Sequence, residues 1–134
     1  MGTNVVSFAG NIIASPGAAS DCAFPAAVTQ IAFGSGGNIL ANASSLNSKS
    51  VNSAAAFVPL DGVGAGETVS TGTFLYVRTN QEMTLRITTQ GAPDLVAEIP
   101  IYGTMIFQFP QSKYLKLLEV KGVGTLEYLV AGMA

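Results

Sequence analysis

The sequence contains no histidine, no tryptophan and a single cysteine, Cys22, among its 134 residues. Without an imidazole, Ser-His-Asp and Cys-His catalysis are excluded, because no group is left to take the nucleophile's proton. Metal sites built on imidazole or several thiolates fall with them, which leaves oxygen-ligand calcium as the remaining metal chemistry. One thiol makes no internal disulfide, so no secreted, cross-linked fold is implied, and Cys22 reads as a small buried hydrophobe. Charge is scarce too: six basic and eight acidic side chains make 10% of the chain, where an ordinary domain of this length carries about 34. Much of the surface must therefore be uncharged, as expected of a protein that lies against a neighbour.

The net charge of −2 removes the basic footprint that phosphate backbones require, so nucleic acid is not an expected partner. Long apolar runs are also missing. The longest stretch without a charge, residues 22–48, is broken by Pro25, Gly34-Ser35-Gly36-Gly37, Asn38, Asn42 and Asn47, and a spanning helix needs about 20 mainly apolar residues. No membrane span is expected. The start of the chain lacks the basic residues and compact apolar run of a secretory signal, so the product is expected to stay in the producing cell or in a particle assembled there. The Asn42-Ala43-Ser44 sequon is accordingly not expected to carry sugar.

What the chain does have falls into two textures. Residues 1–48 hold one charge, Asp21, and are rich in Ala, Ser, Gly and Asn, whereas residues 49–134 hold all the others. The first segment has little apolar surface to bury on its own account and is expected to order by lying on something. Candidate strands there are 3–8, 27–33 and 37–43. Val51, Phe57 and Val58 before Pro59 suit a further extended segment, despite the helical propensity of Ala54-Ala55-Ala56.

In the second half, period-two alternation recurs between turn signals about every 10 residues, the pattern of an antiparallel sandwich or barrel. Residues 73–79 place Phe74, Tyr76 and Arg78 on one face and Leu75 and Val77 on the other, so both faces carry apolar weight. After an Asn80-Gln81 turn, Met83, Leu85 and Ile87 alternate with Thr84, Arg86 and Thr88, as in a half-buried strand. Gly91-Ala92-Pro93-Asp94 makes another turn. Strands over 95–102, 104–109 and 113–120 follow, then a Lys121-Gly122-Val123-Gly124 turn and a last strand over 125–131. Pro100 and Pro110 belong on edges, at bulges or past strand ends, since neither can donate to a ladder. No segment carries a long 3.6-residue stripe. The expected fold is all-β: one domain over 1–134, an antiparallel two-sheet, jelly-roll-like sandwich with an extended N-terminal segment.

Motifs for chemistry are weak. Asp61-Gly62-Val63-Gly64-Ala65-Gly66-Glu67 flanks a glycine loop with two carboxylates, but lacks the dense Asp/Asn alternation of calcium loops and the helix behind a dinucleotide loop. Gly34-Ser35-Gly36-Gly37 lacks the Gly-Lys-Ser/Thr ending of a phosphate loop. Asp94 and Glu98 stand roughly 13 Å apart along a strand, too far for paired-carboxylate glycoside hydrolysis. Arg78 with Glu82, and Arg86 with Glu98, are candidate cross-strand pairs. Tyr76, Tyr102, Tyr114 and Tyr128 suit packing better than a sugar-stacking platform. No enzyme activity and no cofactor are expected.

Several segments carry a family resemblance: residues 72–79 (Gly-Thr-Phe-Leu-Tyr-Val-Arg-Thr), residues 83–88 (Met-Thr-Leu-Arg-Ile-Thr), Lys113-Tyr114-Leu115-Lys116-Leu117, and the closing run 124–132. Together, over roughly half the chain, they resemble small β-sandwich virion proteins of tailed bacteriophages, particularly head cement or decoration proteins. The resemblance implies a jelly-roll-like domain that dimerises or trimerises on the capsid exterior and staples neighbouring major capsid protein subunits. Localisation would be the virion, assembled in the host cytoplasm. A cement protein buries uncharged surface and adds strands to open sheet edges. The expected contacting material is an arm over residues 1–26 with Val5, Val6, Phe8, Ile12 and Ile13 as anchors, together with Phe74 and Tyr76 on the 73–79 strand. Alternative readings are a tail, fibre or baseplate β-module and a carbohydrate-binding module.

Overall fold

The structure, a computed structural model, describes residues 4–14, 29–34 and 39–134. The chain divides into two units, Val5–Ile39 and a larger one made of Met1–Asn4 with Leu40–Ala134. In the smaller unit β2 (Ala9–Ala14) and β3 (Thr29–Gly34) form an antiparallel ribbon, Ala9 opposite Gly34 and Ala14 opposite Thr29. The short strands β1 (Asn4–Val6) and β4 (Ile39–Ala41) pair with each other. Cys22, most of the 1–26 arm and the first residues of the 27–33 strand lie outside the described residues.

The all-β expectation holds. The larger unit is one four-stranded antiparallel sheet in the order β5-β8-β6-β7, formed by β5 (Ala43–Pro59), β6 (Thr71–Thr89), β7 (Leu95–Gln108) and β8 (Leu115–Met133). A single 3₁₀ turn, Gln111–Lys113, joins β7 to β8. Two of the turns read from the sequence are absent. Asn80-Gln81 lies inside β6 and Lys121 to Gly124 inside β8, while the expected strands 95–102 and 104–109 merge into the single strand Leu95–Gln108, with Phe109 just past its end.

Those residues have a different task. Pairing of β5 with β8 shifts between Ser53 and Val58, and pairing of β6 with β7 shifts between Thr79 and Met83. The β6–β8 pairing is interrupted at the same level, from Thr79↔Leu126 to Met83↔Gly122. The irregularities line up across all four strands as a crease. Side chains replace the missing ladder: Asn80 Oδ1 accepts the Thr125 N–H at 2.8 Å, and Ser53 Oγ donates to the Ala56 carbonyl at 2.6 Å. Gly122 and Gly124, at φ +147° and +151°, are required there, because a Cβ would lie 2.9 Å from Met83 Cγ or 2.7 Å from Asn80 Oδ1. Bulges and glycine kinks are the means by which strands turn corners.

The crease folds the sheet back on itself. A straight β6 would separate Gly72 from Thr89 by roughly 56 Å, yet Leu115 pairs with both. Tyr128 crosses the interior from β8, and its hydroxyl donates to the Asp61 carbonyl at 2.8 Å, just beyond the end of β5. Gly62, at φ +102°, packs against Ser45 near the start of that strand. Between the two halves lies the core: Leu75, Val77, Leu85, Leu118, Val120, Leu126 and Val130 are fully buried. Each contributes about 1.5–3 kcal/mol of transfer free energy. The 61–70 loop closes one end with Val63 and Val69, both buried and bridged to each other.

Candidate interaction surface

Folding a four-stranded sheet in half leaves two edges, β5 and β7, and the pairing shows what each exposes. The Phe109 N–H donates to the Thr73 carbonyl. This fixes the parity: odd-numbered residues of β7 direct both backbone groups to β6, and even-numbered residues direct theirs away. Side chains alternate in step, since the even positions from Val96 to Gln108 are all exposed, while odd positions from Ala97 to Phe107 are buried or half-buried. Pro100 falls on the outward parity, so its missing N–H costs no bond to β6. Among the described residues no strand pairs with the outer side of β7.

The inward side of this edge is only partly covered. Ala97 and Ile99 from one half of β7 and Phe107 from the other, with Phe109 just beyond its end, line an apolar groove of about 280 Å³. The two rings stack with centroids 6.3 Å apart. Leu95, at the rim, is 67% exposed, and Tyr102, at the crease, 73%. Of the seven large apolar side chains that stand exposed among the described residues, four (Leu95, Val96, Tyr102 and Ile106) belong to β7. A long apolar edge of this kind is a template for another strand.

Charge is confined to one end of β7. Arg86 makes the expected cross-strand pair with Glu98 at 3.1 Å and reaches Glu119 at 3.6 Å, and its guanidinium lies 3.7 Å over the Phe57 ring. Lys116 holds Asp94 at 2.9 Å. The Lys116 ammonium and the Gly91 N–H together keep the Asp94 carboxyl below its ordinary value. From residue 99 to residue 112 there is no charge at all. Arg78 and Glu82, the other expected pair, form no ion pair.

Most of the remaining candidate groups make contacts within the fold. Glu67 accepts the Gly62 N–H at 3.2 Å, closing the glycine loop on itself. Burial, aided by the nearby Asp61 carboxylate, pushes the Tyr128 hydroxyl up to about 12. Tyr114 donates to Gln90 and Tyr76 to Glu127, so the four tyrosines occupy four separate settings. Among the described residues no three His, Cys, Asp or Glu side chains come together to hold a metal, and no helix is long and apolar enough to cross a membrane.

None of the anchors chosen from sequence belongs to β7. Val5 and Val6 sit in β1, Ile12 and Ile13 in β2, and half-buried Phe8 between those strands. Phe74 is only 3% exposed, and Tyr76 is half-buried with its hydroxyl on Glu127. The surface at Leu95, Ile106, Phe107 and Phe109 was not singled out by sequence reasoning, although the charge-free run 99–112 was the available signal. No family model, curated protein or solved structure matches this chain.

Proposed function

We propose that this chain is a non-enzymatic structural protein that is built into a larger assembly through the β7 edge and its groove. The observation that carries the reading is the coincidence, on one strand, of backbone left unpaired among the described residues, exposed large side chains and an apolar groove. An edge of that kind gains main-chain bonds from an added strand and side-chain contacts from its groove. The specific form suggested by the strand texture is a head cement or decoration protein on the exterior of a tailed-phage capsid, bound between major capsid protein subunits. The folded-over sheet, with a core between its halves, then takes the part of the two-layer jelly-roll-like sandwich.

The test is a binding assay. Tailed-phage capsids stripped of their own decoration proteins are mixed with the chain and re-isolated by sedimentation. Retention is expected, with loss of retention for Phe107→Lys, which puts an ammonium into the groove. A chain that sediments with no shell contradicts the cement reading, and a Phe107→Lys variant that binds as well as the parent contradicts the role of the groove.

A further inference from the structure

The crease divides the β7 edge into two unlike halves. In the first, Glu98 and Pro100 stand on the outward parity. A second copy pairing antiparallel about Glu98 would set carboxylate against carboxylate and would meet a missing donor on either side. In the second half, residues 104–108, no charge, proline or bulge interrupts the edge. This half ends at the crease beyond Tyr102 and at Pro110, and Ile106 is equidistant from both.

We propose that a second copy of this chain occupies this half-edge, antiparallel, with the two-fold axis at Ile106. This rests on the reading of β7 as the assembly surface and names the first partner there. Self-complementarity favours a like chain over a foreign strand. Thr104 faces Gln108 of the second copy, Ile106 faces its counterpart, and on the groove side Met105 meets Phe107, an apolar pair that sulfur and ring both favour. Gly103 falls opposite Phe109, and a Cβ at Gly103 would touch nothing within 4 Å, so there is room for the incoming ring. A foreign partner distinguished by charge would find none to recognise between residues 99 and 112. Three outward residues per copy supply about six main-chain bonds. Five paired residues per copy make a small contact, at the low end of specific interfaces, so the dimer should be reversible with a Kd on the order of micromolar.

The test is the oligomeric state of the full chain by sedimentation equilibrium across a concentration series, with Ile106→Pro and Glu98→Lys alongside. The Ile106 N–H points away from β6, so the proline removes a donor from the dimer and none from the β6–β7 ladder. Expected are a concentration-dependent dimer for the parent and for Glu98→Lys, and association weakened at least about tenfold by Ile106→Pro. Should the proline variant melt early, Ile106→Cys in a Cys22→Ser background replaces it. Two chains about 5.5 Å apart at this pair should oxidise to a cross-linked dimer much faster than Val96→Cys in the same background. A parent that stays monomeric at millimolar concentration, a dimer indifferent to a folded Ile106→Pro chain, or equal cross-linking at both positions overturns the proposal. A monomer that still binds capsids through the Phe107 groove overturns self-pairing alone and leaves the assembly reading standing.

Discussion

The two edges of the folded sheet are built from opposite chemistries. On β5 the inward residues of the first half are Ala43, Ser45, Asn47 and Lys49, and they satisfy one another locally: Asn47 Nδ2 donates to Ser45 Oγ at 2.7 Å, and Lys49 Nζ reaches the Pro59 carbonyl at 3.2 Å. An inward lysine, a wide bulge after Ser53 and a terminal proline are the means by which natural sheets discourage a further strand. On β7 the corresponding inward residues are apolar and line an open groove, and the protective devices, Glu98 and Pro100, stop at the crease. The lesson is that one edge is closed off by polar side chains, while the other keeps an apolar groove and, among the described residues, an outer side with no strand paired to it.

Substitutions can break or sharpen that contrast. The largest effect is expected where the two edges share support: Leu118→Ala, fully buried in the central strand β8, should cost about 3–4 kcal/mol in urea denaturation and weaken both edges together. Next is Phe107→Ala, about 2 kcal/mol because the ring is only half-buried, against about 1 kcal/mol or less for Ser45→Ala on β5. Equal losses at these two positions would erase the distinction between an apolar and a polar edge.

Two smaller effects depend on pH. Tyr128 holds its proton more tightly folded than unfolded, so its contribution is complete below pH 10 and is lost as pH rises through about 12. Tyr128→Phe should cost about 1 kcal/mol for its hydrogen bond at neutral pH and flatten the alkaline limb of the stability curve. Absorbance at 295 nm should show a tyrosine ionising near pH 12 that Tyr128→Phe removes. Asp94 is the reverse case. Its carboxyl gives up its proton more readily when folded, so the contribution is present above the ordinary carboxylate range and fades as pH falls through the depressed value. Asp94→Asn should remove that acid-side slope with little change at pH 7, the smallest effect here, because the pair with Lys116 is exposed to solvent.

How far the sequence speaks for itself follows from which of these features are local. Alternation at Met83, Leu85 and Ile87, the Gly91 to Asp94 turn and the Arg86–Glu98 pair were legible, because each depends on neighbours in the chain or on one adjacent strand. The crease was not. Asn80-Gln81 and Gly122 with Gly124 are turn residues by composition, and only the alignment of irregularities on four strands converts them into a corner. Edge status was hidden for a similar reason, since β7 becomes an edge through the strand order β5-β8-β6-β7, which no single segment encodes.

The most direct test of the contrast is amide hydrogen exchange followed residue by residue at micromolar and at millimolar protein. The outward amides of Thr104, Ile106 and Gln108 should exchange freely in dilute solution and become protected when concentrated, while those of Ser44, Ser48 and Ser50 on β5 exchange freely at both. Protection that grows on β5 instead, or β7 amides that stay open at every concentration and remain open on an added capsid, would contradict the account.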